Sequence, residues 1–220
     1  MFSLKPVYES RLFALGNEFV AGADEVGRGA LAGPLVAAVV VFDQKSLRQF
    51  CRAIAGPIRD SKQLSYLQRE RVFPFIKKYA CEISVGRVSH REIDKNGMGF
   101  AAKEVFYRAI EKCRMKNPPR RQAGVKCKIL VDAVRLPRLA VPHESIIHGD
   151  SKIFSIAVAS IYAKVLRDRL MQKYALRYQG YGFERNVGYG TAEHFSAIAS
   201  QGFCRIHRRT FCLGHLPNRL

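Results

Sequence analysis

Acidic side chains placed at the ends of apolar runs are the residues of this chain best suited to chemistry. The densest group lies in residues 22–34, GADEVGRGALAGP, where Asp24 and Glu25 run into Gly27-Arg28-Gly29. Carboxylates offer oxygen ligands to a hard divalent cation, and glycines let the main chain approach a ligand closely. With the fixed charge of Arg28 beside them, they could hold a divalent ion next to a phosphodiester. The plain alternative is a strand that ends in a charged turn, since acid-glycine clusters are common turn chemistry. Two more acids repeat the pattern: Ile129-Leu130-Val131 delivers Asp132, and Ile146-Ile147 delivers Asp150 just after Gly149. Asp150 also suits the N-cap of the helix expected to follow it. Asp60-Ser61-Lys62 sets a cation beside an acid, and taken alone reads first as a solvated turn.

The elements that must position these acids follow from periodicity. Residues 18–24 and 35–42 read as consecutive strands, an antiparallel pair joined by the glycine-rich turn. Neighbouring strand residues face opposite ways, so Asp24 and Glu25 share a site only if the chain begins to turn at Glu25. Residues 45–59 are helix or loop, broken at Gly56-Pro57, and Ser65 with Gln68 fits a capping box that opens a helix over 66–78. Residues 82–88 alternate as a third strand. After Asn96-Gly97, the residues Ala102, Val105, Phe106, Ala109, Ile110 and Cys113 fall at helical spacing. Residues 151–174 read as one long helix whose Ala157, Ser160 and Ala163 permit close packing on a sheet.

Gly27-Arg28-Gly29-Ala30-Leu31-Ala32 formally fits the dinucleotide fingerprint G-x-G-x-x-A, which needs a helix after it. Gly33-Pro34 and then a β-branched run follow instead, so no helix N-terminus is left for a pyrophosphate, and Asp24 and Glu25 would repel one. The pairs Cys204/His207 and Cys212/His215 can be drawn as zinc ligands, but the loop between them is short and the spacing is not that of a finger.

With 220 residues and 48% hydrophobic content, the chain can bury one good core, which predicts one compact domain with a C-terminal extension. Its 37 Lys and Arg against 18 Asp and Glu give a net charge of +19, and a chain that basic usually meets a polyanion, most often nucleic acid. Residues 114–128 carry six basic side chains and no acid, as a loop near a phosphate backbone or a solvated loop would. The tail interleaves cations with aromatics, as in Tyr181-Gly182-Phe183 and Gly188-Tyr189-Gly190, which suits stacking on sugars or bases and equally suits packing. No apolar segment resembles a signal sequence or approaches the ~18 residues of a membrane span, so a cytoplasmic protein with reduced, mostly buried cysteines is expected.

Taken in order, these motifs resemble ribonuclease HII, the bacterial type 2 ribonuclease H. The family's opening segment G-x-D-E-x-G-R-G, ending in A-G-P, stands at 22–34; its aspartate-serine-lysine turn stands at 60–62. Asp132 with Leu136-Pro137, Gly149-Asp150 leading a helix that ends in Ala163 to Asp168, Gly-Tyr-Gly-Thr at 188–191 and His207-Arg208 complete the set. Ala133, Val158 and Asn186-Val187 depart from the usual pattern without removing a carboxylate. The related ribonuclease HIII lacks the Gly-Arg-Gly form and carries an extra N-terminal domain, whereas only 23 residues precede Asp24 here.

The resemblance implies an α/β, ribonuclease H-like mixed five-stranded sheet flanked by helices, with a helical C-terminal extension. It implies a catalytic domain over 1–176 and a substrate-binding extension over 177–220 packed on it. Asp24, Glu25, Asp132 and Asp150 are the implied catalytic and metal-binding carboxylates, holding two Mn²⁺ or Mg²⁺ ions. The implied substrates are RNA–DNA hybrid and duplex DNA containing a ribonucleotide. The backbone at Gly27, Arg28 and Gly29 would bond the 2′-hydroxyl, Tyr189 would stack on the adjoining sugar, and Arg28 and Lys62 would hold flanking phosphates. A monomer is expected. The alternative from another class is a non-catalytic basic nucleic-acid-binding protein whose acids are structural caps; a third is a resolvase-like nuclease indifferent to the 2′-hydroxyl.

Overall fold

The computed structural model describes residues 3–54, 58–113 and 126–212; most of the basic loop and His215 lie outside them. Five strands form one sheet: Phe19–Val26 (β1), Leu35–Phe42 (β2), Glu82–Val88 (β3), Cys127–Asp132 (β4) and His143–Ile146 (β5). Their order is β3-β2-β1-β4-β5, with β2 antiparallel to both β3 and β1, and β1, β4 and β5 parallel. Among the described residues the helices are Val7–Ala14 (α1), Gln44–Ala53 (α2), Tyr66–Tyr79 (α3), His90–Lys112 (α4), Gly149–Lys152 (α5), Phe154–Arg177 (α6), Phe183–Asn186 (α7), Ala192–Gln201 (α8) and Arg209–Cys212 (α9).

The β-branched run of β2 is buried at every position because strands flank it on both edges and helices cover both faces. Period-two alternation sends Ala37, Val39 and Val41 toward Val105, Phe106 and Ile110 of α4. Ala38, Val40 and Phe42 go the other way, to Phe154, Ala157 and Ile161 of α6 and Phe73 of α3. Helix α6 approaches β1 so closely that a Cβ at Gly22 would stand 2.1 Å from the Ser155 carbonyl carbon, so only glycine fits. Beyond α6, the chain packs Tyr181, Phe183, Ile198 and Ile206 against Met171 and against Leu31 and Ala32 of the glycine-rich turn. An isolated bridge joins Ala32 to His207.

Several sequence expectations shift in detail. Strand β1 does not turn at Glu25; it stays paired with β2 through Val26↔Val36, because β2 offers a partner for two residues more than the glycines suggested. Helix α4 begins before Asn96-Gly97, at a Ser89/Glu92 capping box, and takes a non-helical step at Gly97. The expected helix over 151–174 is two pieces, α5 and α6, separated at the extended Ile153. Of the six cysteines, all free, Cys113 and Cys212 are buried, while Cys51 and Cys81 are exposed at helix and strand edges. No helix of the described residues is long and apolar enough to cross a membrane.

Candidate active site

Parallel pairing of β1 with β4 runs from Phe19↔Cys127 to Ala23↔Val131. The next residues in that register are Asp24 and Asp132, so the two acids stand side by side at the carboxyl ends of adjacent parallel strands, facing the same way. Asp150 does not come from a strand end. It sits in the first turn of α5, four residues past the end of β5, and the N-cap position belongs to His148, so the capping alternative does not hold. Its approach to Asp132 is fixed by the Gly149 N–H, which donates to Asp132 Oδ1 at 2.6 Å.

The electrostatics of these acids are unsatisfied. Asp24 is 5% exposed, and burial followed by the neighbouring Glu25 charge raises its pKa well above the usual carboxylate range, against a hydrogen bond from Ser160. Burial lifts Glu25 to about 7; Arg28 opposes the shift and Asp132 adds to it. Asp132 is raised by burial and by Asp150, against its bond from Gly149. Glu25 starts from the opposite face of β1, but these couplings put its carboxyl at the same end of the sheet. Its Oε2 is buried with no hydrogen-bond partner.

Cations reach only the rim. Arg28 Nη1 lies 3.7 Å from Glu25 Oε1, and Lys62 Nζ lies 3.4 Å from Asp150 Oδ2, with the Lys62 side chain 80% exposed. The turn that carries Lys62 is anchored inside: Ser61 Oγ is 2.8 Å from Ser160 Oγ, which also serves Asp24. A divalent cation fits this end of the sheet, because it would satisfy the orphaned Glu25 oxygen and favour the ionised form of all three raised carboxyls. Among the described residues no three acidic, His or Cys side chains converge as a closed metal cage. Magnesium-type sites need none, since they use one or two carboxylates and fill the shell with water and phosphate oxygens.

The glycine-rich turn is held from behind. Arg167 and Arg208 are fully buried. Arg167 donates to the carbonyls of Pro34 (3.0 Å), Ala32 (3.0 Å) and Val187 (2.8 Å). Arg208 donates to those of Gly33 (3.0 Å) and Arg28 (3.0 Å). Gly27, at φ 95°, is needed because a Cβ there would lie 2.2 Å from Arg167 Nε. At Gly29 a Cβ would meet nothing within 4 Å, so the chain's own packing does not call for glycine there. Tyr189 lies half-buried across the turn, its ring centre 5.6 Å from Lys164 Nζ and 5.4 Å from the Arg167 guanidinium carbon.

Among the described residues, the non-glycine residues with positive φ are Ala133 (49°), His148 (57°) and Val187 (44°), and each lies within two residues of Asp132, Asp150 or Tyr189. Such strain persists where surrounding structure over-determines the backbone, commonly at functional sites. Reasoning from sequence missed Arg167, Ser160 and His194. Arg167 had a signal: it falls on the buried stripe of α6 between Ala163 and Met171, where a cation needs an explanation. The drawn zinc site has no support at His207, whose Nδ1 accepts from Cys204 N at 2.9 Å and whose Nε2 faces His194 Nε2 at 3.0 Å.

A family profile described as Ribonuclease HII matches residues 21–214. The ribonuclease HII of Geobacillus sp. (strain WCH70) is 42% identical over 204 residues, covering 93% of this chain and 68% of that protein. That of Chlorobium chlorochromatii (strain CaD3) is 42% identical over 204 residues, covering 92% and 94%. The crystal structure of ribonuclease H2 from Pyrococcus horikoshii OT3 superposes with a TM-score of 0.68 at 29% identity, over 87% of this chain and 93% of that one. A ribonuclease H-like sheet with its acids gathered at one end, matched over nearly its whole length at this level of identity, places the chain in the ribonuclease HII family of metal-dependent endoribonucleases acting on RNA–DNA hybrids.

Proposed function

We propose that this chain cuts both the RNA strand of RNA–DNA hybrids and single ribonucleotides embedded in duplex DNA, leaving 3′-hydroxyl and 5′-phosphate ends by two-metal-ion hydrolysis. The observation that carries the reading is the register pair Asp24/Asp132, raised by burial, with Glu25 and Asp150 beside it and only the exposed side chains of Arg28 and Lys62 opposite them.

Asp24, Glu25, Asp132 and Asp150 are the residues that would hold Mn²⁺ or Mg²⁺. Bound there, such ions supply an activated water and stabilisation of the leaving oxygen. The chain's own side chains do the rest. Ser160 and the Glu25 N–H fix the Asp24 carboxylate, the latter at 2.7 Å from Oδ1, and the Gly149 N–H fixes Asp132. Arg28 and Lys62, exposed at the rim beside Glu25 and Asp150, would hold flanking phosphates. The 2′-hydroxyl is the sugar group that separates RNA from DNA. The backbone of residues 27–29, buried at Gly27 and exposed at Arg28 and Gly29, is stiffened by Arg167 and Arg208 and would read it, with Tyr189 stacking on the adjoining sugar.

The test is a duplex bearing one ribonucleotide, incubated with Mn²⁺ or with chelator, beside a uniform hybrid and an all-DNA duplex. Cleavage of the first two only, abolished by chelator, is the expected result. Metal-independent binding without cleavage favours a non-catalytic binder, and cutting of all-DNA duplex favours a resolvase-like nuclease.

A further inference from the structure

The loop that presents Tyr189 is held more tightly than packing requires. Val187 is β-branched yet sits at φ 44°, a conformation such residues rarely adopt. Three side chains sustain it. The Asn186 amide donates to Tyr181 O at 2.7 Å while its carbonyl accepts from Gly188 N at 2.8 Å. Arg167 bonds the Val187 carbonyl, and His194 Nδ1 lies 2.9 Å from the Tyr189 carbonyl, which also accepts from Thr191 N at 2.9 Å.

His194 and His207 are 0% and 2% exposed and face each other Nε2 to Nε2 at 3.0 Å. The fixed Cys204 N–H points at His207 Nδ1, 2.9 Å away, so that nitrogen is the acceptor; its 3.4 Å contact with the Cys204 carbonyl is too long to compete. In a neutral ring the proton is then on His207 Nε2 and donates to His194 Nε2. That leaves the His194 proton on Nδ1, aimed at Tyr189 O. One directional chain therefore runs from Cys204 N–H through two imidazoles to the Tyr189 carbonyl. Its starting end, at Cys204 and His207, belongs to the segment that also grips the glycine-rich turn, where Gly33 N donates to Ile206 O at 2.9 Å and Arg208 bonds Arg28; at its far end Gly188, next to Tyr189, accepts from Leu31 N at 2.8 Å.

We propose that His194 and His207 are positioning residues for substrate choice: their hydrogen-bond relay fixes the Tyr189 ring relative to the backbone of residues 27–29, and so sets the preference for a ribonucleotide–deoxyribonucleotide junction. This rests on the reading of Tyr189 as the residue that stacks on the sugar. The relay touches neither substrate nor carboxylates, so its loss alters discrimination between substrates rather than cleavage itself.

Two substitutions at one position separate this role from a purely structural one. The asparagine amide nitrogen occupies the place of imidazole Nδ1, so His194→Asn keeps the bond to Tyr189 and loses the link to His207. The longer glutamine reaches the Nε2 position, so His194→Gln does the reverse. The readouts are kcat/KM on a single-ribonucleotide duplex divided by that on a uniform hybrid, and the melting temperature. His194→Asn keeps the wild-type ratio, whereas His194→Gln lowers it by about tenfold, chiefly through KM on the junction substrate. An equal fall in both, or a greater fall in His194→Asn, overturns the proposal. Should either variant fail to fold, ¹⁵N NMR of the wild-type chain decides: unprotonated His207 Nδ1 and His194 Nε2 support the relay, and the opposite tautomers sink it. A wild-type chain that cuts neither substrate defeats the underlying function instead.

Discussion

Two ends of one loop treat buried charge in opposite ways. At the strand ends, Asp24, Glu25 and Asp132 are pushed toward protonation by burial and by one another, and Glu25 Oε2 has no partner. Behind residues 27–34, Arg167 and Arg208 are just as buried, yet between them they bond five main-chain carbonyls, with Arg208 Nη2 left without a hydrogen-bond partner. Burial still pulls Arg208 down to about 9, and Arg167 adds to the pull. Negative charge is thus gathered where the proposed cation would sit, while positive charge goes largely into fixing backbone. The first region is built to bind, the second to hold.

The sharpest way to test that contrast is to remove one charge from each region and compare rate with stability. Asp24→Asn keeps the size of the side chain but not its charge, and it lowers kcat on the hybrid on the order of 10³-fold or more, with binding largely spared. Without divalent ions the same substitution leaves stability unchanged or raises it by about 1 kcal/mol, since it removes an unfavourable buried charge. Mn²⁺ raises the melting temperature of the wild-type chain and not of this variant. Turnover by Asp24→Asn in saturating Mn²⁺ is the outcome that breaks the first half of the comparison.

Arg208→Met tests the second half. It strands the carbonyls of Arg28 and Gly33 and destabilises the fold by about 2–4 kcal/mol in denaturant titration. An unchanged unfolding midpoint would mean that Arg208 is not a structural clamp. A third effect is read against pH. Burial, then His194, lowers the His207 pKa from 6.5 to about 4, so the unfolded chain binds more protons than the folded one between those values. The stability this contributes is complete above pH 6.5 and is lost as pH falls toward 4, an effect of about 1–3 kcal/mol that His207→Asn removes from the pH profile. The smallest effect is at Ala133, whose φ of 49° is strained for any residue with a Cβ. Ala133→Gly relieves about 1–2 kcal/mol of strain and loses about 0.5–1 to backbone entropy, a net gain of roughly 0.5 kcal/mol in urea unfolding.

Strand β2, strand β3 and the Ser65/Gln68 start of α3 were legible in the sequence because burial on both faces, alternation and capping are local properties. The Ser89/Glu92 box was equally local but stood hidden behind Asn96-Gly97, a stronger breaker signal inside the same helix. What the sequence withheld was set by partners far along the chain. Val26 stays in β1 because Val36 pairs with it, and Asp24 meets Asp132 through a register that no window of residues contains. Arg208, 180 residues from the Arg28 carbonyl it holds, is of the same kind.

That last separation has a consequence for how the chain comes into being. Synthesis delivers all four acids of the proposed metal site by Asp150, but the guanidinium that disciplines the turn emerges only at position 208. A growing polypeptide would possess the proposed cutting groups before the proposed sugar-reading loop has its shape. Discrimination therefore ripens later than reactivity, and a truncation just short of position 208 should yield a less selective molecule rather than merely a weaker one.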